Sequence, residues 1–221
     1  MFRRISVIAI LLFFVFSLQG LAQDKKIEVA PYVGYTFSEG VDVDIAVSNP
    51  GDLYLVNRIS PTSGFTWGFT VDYLVGENFA VGFLYSDQSS TLEARVQNNE
   101  KIDVVDQNLR NYHGIFTYNL GDEDSPMRPF FFGGLGATQY ATKETNGLNV
   151  DGGTKFSTTW GGGVKFYFHE NVGVKATARW TPTYIKSDPG GWWCGWYGCW
   201  VLSNPEYSNQ FEMSAGVVFR F

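Results

Sequence analysis

The stretch FEMSAGVVFRF at residues 211–221 indicates the fold class. From Phe211 to Phe221 every second side chain is apolar, and the positions between them include Glu212 and Arg220. This period of two is typical of a β-strand with one apolar and one polar face. A chain built from such strands would be all-β.

Seven earlier segments show the same alternation. After residue 22, helical periodicity is weak and no uncharged apolar run reaches the length of a membrane helix. Pro31 lies inside the first segment, so that strand carries a bulge or starts later. The glycine-rich fifth segment does not reveal which of its faces is apolar. The predicted strands are residues 26–37, 65–75, 79–86, 112–120, 129–141, 157–168, 172–184 and 211–221.

The connections between the predicted strands alternate in length. Outer-membrane barrels have short periplasmic turns and long external loops. The alternation therefore favours a closed antiparallel transmembrane β-barrel of eight strands over a soluble sandwich or barrel. The short turns are residues 76–78, 121–127 and 169–171, and the long loops are residues 38–64, 89–105, 142–156 and 185–208.

The aromatic residues fall at two heights of this predicted barrel. Tryptophan and tyrosine are enriched at both interfaces of a membrane because their rings are amphipathic. A soluble barrel has no reason to sort its aromatic residues by height. The predicted outer belt is Tyr35, Trp67, Tyr85, Tyr112, Trp160 and Trp180, and the inner belt is Tyr73, Phe79, Tyr118, Phe168 and Phe219.

The charged residues inside the strands share the polar face. A charge that faces lipid at the midplane costs about 2–4 kcal/mol, so the polar face is predicted to line the lumen. We expect five of these residues to form a network at the inner end, and Arg179 to pair with Glu212 nearer the outside. The five are Glu28, Asp72, Lys165, Lys175 and Arg220.

An eight-stranded barrel has an interior that side chains can just fill. The charged network therefore has two interpretations: ion pairs that plug the lumen, or the lining of a narrow pore. Several glycines also face inward, and they either make room for long side chains or leave a channel. They are Gly34, Gly68, Gly82, Gly161 and Gly163.

The first 22 residues are predicted to be a cleaved signal peptide. Arg3 and Arg4 form a positive segment, residues 5–18 are apolar, and Gly20 and Ala22 fit a small-residue cleavage site. The apolar run reaches about 21 Å as a helix, which is short of a hydrocarbon core of about 30 Å. The barrel domain is then residues 23–221, exported to the outer membrane.

The charge balance excludes one class of partner. Without Arg3 and Arg4, the chain has 14 basic and 22 acidic residues, which gives a net charge of −8. Nucleic-acid binding requires a basic face, so no nucleic acid is expected. No cofactor or metal is expected either, because Cys194 and Cys199 have no nearby histidine and leave a zinc site incomplete.

The last long loop carries a cluster of aromatic residues. Cys194 and Cys199 are the only cysteines, and behind a signal peptide they are predicted to form a disulfide. Exposed aromatic clusters tend to mark binding surfaces. The loop is a candidate contact for a lipid headgroup region, a glycan or a partner protein, unless its rings pack over the barrel mouth. The candidate residues are Trp192, Trp193, Trp196, Tyr197 and Trp200.

No catalytic activity is expected. The two histidines are His113, predicted to point inward near the outer end, and His169, in a periplasmic turn, so they cannot cooperate. A pairing of His113 with Ser86 on the neighbouring strand is compatible with the alternation. Both side chains are better explained as hydrogen-bonding groups that fill the lumen.

The chain resembles the OmpA-type and OmpX-type family of small outer-membrane β-barrels. The resemblance is carried by WGGGVKFYF at residues 160–168 with its turn, and by GVVFRF at residues 216–221. It implies outer-membrane lipid as surroundings and a barrel-assembly machinery that reads a last strand closing on Phe219 and Phe221. The leading functional hypothesis is a non-enzymatic role in envelope structure or surface interaction. The alternative is a narrow channel or transport barrel for small or apolar solutes, as in porins and OmpW-like barrels.

Overall fold

The structure is a computed structural model of the 221-residue chain, and it describes most of the sequence after residue 25. The predicted signal peptide, residues 1–22, lies outside the described residues. None of the described residues belongs to a helix long and apolar enough to cross a membrane. The described residues are 26–49, 52–96, 101–122, 125–142, 153–185, 192–195, 198–201 and 206–221.

The described residues form twelve β-strands. The strands are β1 (Ile27–Ser38), β2 (Val41–Asn49), β3 (Asp52–Pro61), β4 (Gly64–Leu74), β5 (Phe79–Val96), β6 (Lys101–Asn119), β7 (Met127–Thr142), β8 (Thr154–His169), β9 (Val172–Ile185), β10 (Trp192–Gly195), β11 (Gly198–Val201) and β12 (Glu206–Arg220). The eight predicted strands correspond to β1, β4 to β9, and β12.

These eight strands close into one antiparallel barrel. The order around the ring is β5, β4, β1, β12, β9, β8, β7 and β6, and β6 pairs again with β5. The first and last strands are joined in register, with Glu28 opposite Arg220. Closure leaves the ring without an unpaired edge, which matters in lipid because lipid offers no hydrogen bonds to backbone groups. The predicted closed barrel of eight strands is confirmed.

Three of the predicted long loops contain strands. Within residues 38–64, β2 and β3 form a hairpin, and β3 pairs with the outer part of β5. Within residues 89–105, β5 and β6 stay paired as far as Arg95 opposite Lys101. Within residues 185–208, β10 and β11 form a separate two-stranded sheet. These loop assignments were wrong, although VDVDIAVS at residues 41–48 alternates between apolar and polar side chains as the predicted strands do.

Pro31 causes neither a bulge nor a late start. β1 keeps a single register with β4 along its length. On its other side, β1 pairs with β12 at Val29 and again at Tyr32, and the ladder skips the two positions between them. Because proline has no N–H to donate, the pairing with β12 is interrupted here, but its register is the same on both sides of the gap.

Most apolar side chains of the ring face outward, and most polar and charged ones face inward. Trp67, Trp160 and Trp180 of the outer belt are 47–54% exposed on the lipid side. At the inner end, the rings of Phe79 and Tyr118 pack with centroids 4.8 Å apart. This orientation is the reverse of a soluble barrel, in which the apolar face fills the core.

Candidate functional site

Glu28 is the centre of an ion-pair cluster at the inner end of the lumen. It extends from β1 and accepts hydrogen bonds from Lys165 on β8 and Arg220 on β12. Arg220 Nη2 lies 2.9 Å from Glu28 Oε1, and the Tyr167 hydroxyl donates to the same oxygen at 2.8 Å. Because all the charged groups are buried and the carboxylate has three donors, the cluster links three strands across the lumen.

A second ion pair lies near this cluster. Lys175 Nζ lies 3.7 Å from Asp72 Oδ2, and it donates to Thr70 Oγ1 at 3.1 Å. The same ammonium lies 5.0 Å from the centroid of the Phe130 ring, which is a cation–π distance. A Cβ atom at Gly82 would come within 2.2 Å of Asp72 Oδ1, so the glycine makes room for this carboxylate.

Two further inward glycines lie under lumen side chains. A Cβ atom at Gly68 would come within 2.6 Å of the Tyr32 hydroxyl oxygen, and one at Gly161 within 2.8 Å of the Phe132 ring. These glycines therefore accommodate large side chains. Of the two roles considered for them, the geometry favours space for lumen side chains over a channel.

An apolar layer crosses the lumen between the inner and outer charges. Phe130 and Phe132 on β7 point inward and pack with Leu84 and Ile115, and all four side chains are buried. The two rings are stacked with centroids 6.2 Å apart. The sequence did not predict this layer because the facing of β7 was undecided.

Little empty space remains between the charged groups. A cavity of about 20 Å³ lies between Lys175 and the side chains of Arg179 and Glu212, and Tyr32 and Phe132 help to line it. A cavity of this volume holds about one water molecule. At this height the lumen is filled by side chains.

Arg179 and Glu212 form an ion pair farther out, on the neighbouring strands β9 and β12. Arg179 Nη2 lies 2.5 Å from Glu212 Oε2 and donates to Ser86 Oγ at 2.8 Å. Thr36 Oγ1 donates to the same carboxylate oxygen at 3.4 Å. The seven charged residues singled out from the sequence therefore all take part in buried ion pairs.

His113 forms a hydrogen bond with Ser157 rather than with Ser86. The distance from His113 Nε2 to Ser157 Oγ is 2.9 Å, and both residues are buried in the lumen. Thr138 Oγ1 donates to Ser157 at 3.0 Å. Ser86 is engaged elsewhere, since Asn111 Nδ2 donates to it at 3.1 Å. The pair with Ser86 that the alternation allowed does not form, and both side chains belong to polar networks in the lumen, as expected.

Arg128 is a buried cation that sequence reasoning missed. It lies at the inner end of β7, opposite Lys165, and is 0% exposed. Its Nη2 donates to the Glu77 carbonyl oxygen at 2.7 Å, whereas Nε and Nη1 have no hydrogen-bond partner among the described residues. The predicted strand begins at Pro129 and therefore excludes position 128. Arg128 lies two positions before Phe130 on the same strand, so an inward Phe130 implies an inward Arg128.

The aromatic loop is described only in part. Cys194 is the register partner of Cys199 in the hairpin of β10 and β11, and Trp193 is the partner of Trp200. Trp196 and Tyr197 lie outside the described residues. Directly opposite residues on antiparallel strands have Cα atoms about 4.5–5.5 Å apart, which is within the range of a disulfide. The disulfide and the binding role of the loop stay predictions.

Comparisons with known proteins agree with this architecture. A family model described as "Outer membrane protein beta-barrel domain" matches residues 8–221. The outer membrane protein OprG from Pseudomonas aeruginosa superposes with a TM-score of 0.60 at 10% identity, covering 89% of this chain and 95% of that one. Neisserial surface protein A (NspA) superposes with a TM-score of 0.52 at 16% identity, covering 88% of this chain and 97% of that one.

At these identities the two structures show a shared fold alone. The comparison with curated proteins gave no match. The family model, by contrast, covers nearly the whole chain, including all eight strands of the ring. The chain therefore belongs to the family of outer-membrane β-barrel proteins.

Proposed function

We propose that this protein is a non-conducting, non-enzymatic outer-membrane barrel that serves envelope structure or surface interaction. In this proposal the side chains that fill the lumen stabilise the barrel. The outer surface and the external loops carry the function. The supporting observation is the filled cross-section at Phe130 and Phe132, between two groups of buried ion pairs.

Single-channel recording in planar bilayers tests this proposal. The wild-type protein is expected to give no discrete openings, because side chains fill the path for ions. A Phe130→Ala/Phe132→Ala double variant is expected to conduct, since it removes both rings from the lumen. The matched control is Phe131→Ala, because Phe131 lies between them in sequence but is 54% exposed on the lipid side. Regular openings of the wild type would instead favour the narrow-channel alternative.

The positions of the histidines support the non-enzymatic part of the proposal. His113 and Ser157 are hydrogen-bonded, but they are buried in the lumen and out of reach of a lipid substrate. His169 is exposed at the end of β8, at the opposite end of the barrel. Mass spectrometry of lipid A from cells with and without the protein tests this part. A mass change that disappears in His113→Ala would contradict it.

We assign surface interaction to the aromatic loop. The hairpin of β10 and β11 lies outside the barrel sheet, so its residues are not needed to close the ring. A Trp192→Ala/Trp193→Ala/Trp196→Ala triple variant is expected to lose binding to lipid surfaces, glycans or partner proteins while its barrel still folds. Unchanged binding in every such assay would contradict this assignment.

Export and assembly complete the proposal. Residues 1–22 act as a cleaved signal peptide, and the barrel-assembly machinery reads the final strand. Phe219 pairs with Val29, and the Phe221 N–H donates to the Ile27 carbonyl oxygen at 2.8 Å, so both phenylalanines lie at the seam of the barrel. N-terminal sequencing of the membrane-inserted protein should begin at Gln23. Retention of the first 22 residues would contradict cleavage.

A further inference from the structure

Cations outnumber carboxylates among the buried charged groups of the lumen. Among the residues that the structure describes, the lumen contains five buried cations and three buried carboxylates. Asp87 is also buried, but it is the register partner of Trp67 and lies on the lipid side. The lumen carboxylates belong to Glu28, Asp72 and Glu212, and the cations belong to Arg128, Lys165, Lys175, Arg179 and Arg220.

Three of these cations form one row across neighbouring strands at the inner end. Lys165 on β8 is the register partner of Arg128 on β7 and of Lys175 on β9. Register partners lie on the same face of a sheet, and like charges directly opposite each other are destabilising. Each cation of this row therefore needs a counter-charge.

Arg128 is the cation of the row that has no carboxylate partner among the described residues. Lys165 pairs with Glu28, and Lys175 Nζ lies 3.7 Å from Asp72 Oδ2. Arg128 instead donates to a backbone carbonyl oxygen, and its Nε and Nη1 have no partner in the described part of the chain. A guanidinium cannot relieve the cost of burial by losing its proton. An anion beside Arg128 would supply both the missing charge and the missing acceptor.

We propose that a small inorganic anion with the size and charge of chloride binds beside the Arg128 guanidinium. Charge-assisted hydrogen bonds from the guanidinium would hold the ion, and Lys165 and Lys175 add positive potential along the row. A monatomic anion needs about the space of one water molecule, which suits an arginine that is 0% exposed. The ion is bound rather than conducted, because the apolar layer at Phe130 and Phe132 lies farther out in the lumen.

Anomalous X-ray scattering locates such an ion directly. Crystals of the full-length mature barrel are grown in sodium bromide, because bromide has the charge of chloride and an accessible absorption edge. The wild type is expected to show a bromide peak within hydrogen-bond distance of the Arg128 guanidinium, and Arg128→Met should lose it. The matched control is Lys155→Met, which removes a half-buried lysine near the outer end of β8 and should keep the peak.

Two results of this experiment would overturn the proposal. One is a wild type without a bromide peak at Arg128, which is also the result expected if a carboxylate of the acidic turn at residues 122–124 takes the place of the ion. The other is a peak that persists in Arg128→Met.

Urea-induced unfolding in lipid vesicles gives an independent measurement in solution. It compares sodium chloride with sodium gluconate, whose anion is too large for the site. For the wild type, chloride at about ten times its Kd should lower the equilibrium constant of unfolding about tenfold. Lys155→Met should respond in the same way. Arg128→Met should unfold alike in both salts, and in gluconate it should be at least as stable as the wild type, because it buries no unpaired cation. A wild type that unfolds equally in the two salts would overturn the proposal.

Discussion

Arg220 donates two hydrogen bonds to Glu28 across the seam where the last strand joins the first. Arg220 Nη2 and Nε lie 2.9 and 3.2 Å from Glu28 Oε1, although the two residues are 192 positions apart in the chain. Lys165 binds the other carboxylate oxygen from β8, which is separated from β12 by β9 in the order of strands. A single buried carboxylate thus joins both sides of the seam to a strand elsewhere in the barrel.

Replacing this carboxylate should destabilise the barrel strongly. Glu28→Ala leaves Lys165 and Arg220 buried without their shared partner, and removal of one member of a buried ion pair costs about 3–5 kcal/mol. The measurement is urea-induced unfolding in lipid vesicles, followed by tryptophan fluorescence. Glu77→Ala, at an exposed turn position, is the control and should unfold like the wild type. A loss below about 1 kcal/mol would show that water replaces the carboxylate.

Lys165 and Arg128 offer a matched comparison, because they are register partners that are both fully buried at the inner end. Lys165→Met removes a partner of Glu28 and should lower the free energy of unfolding by about 3–5 kcal/mol. Arg128→Met removes a cation without a carboxylate partner among the described residues, so stability should stay equal or rise. The same unfolding experiment measures both. Equal losses in the two variants would refute the distinction between a paired and an unpaired cation.

Gly161 should tolerate no side chain. An added Cβ atom would lie 2.6 Å from the Ala178 carbonyl oxygen and 2.8 Å from the Phe132 ring, so Gly161→Ala should cost about 1–3 kcal/mol through overpacking. The control is Gly114→Ala, where the nearest atom to the added Cβ is 3.9 Å away. That variant should stay within about 0.5 kcal/mol of the wild type. If both alanines are tolerated alike, the lumen is looser than this packing implies.

Alternation predicted the membrane-spanning part of the barrel because lipid imposes a sharp contrast between the two faces. The inward position of Glu212 and the outward position of Phe211 follow from that contrast alone. The position of each charged residue along its strand then predicted which charges lie at the same level of the barrel and can pair, as Arg179 and Glu212 do. Both kinds of information are local, so a single sequence contains them.

Some of the features that escaped prediction lack this contrast. β7 carries three successive phenylalanines at residues 130–132, so its two faces look alike and the apolar layer could not be assigned. The strands β2 and β3 and the outer parts of β5 and β6 lie within segments predicted to be loops, although residues 41–48 alternate between apolar and polar side chains. The bond between His113 and Ser157 joins β6 to β8 past Gly136 on the intervening strand β7, and alternation does not specify such a contact.

The hairpin of β10 and β11 provides the last prediction, because Cys194 and Cys199 are register partners there. Intact mass of the oxidised protein should be lower by the two hydrogens lost when a disulfide forms, and reduction should restore them. Reduction should leave the free energy of unfolding of the barrel unchanged, since this hairpin is not part of the closed sheet. It should speed cleavage of the loop by chymotrypsin, because the cross-link constrains the aromatic sites. Alkylation of both cysteines without reductant would contradict the disulfide. A lower free energy of unfolding of the barrel after reduction would contradict the independence of the hairpin.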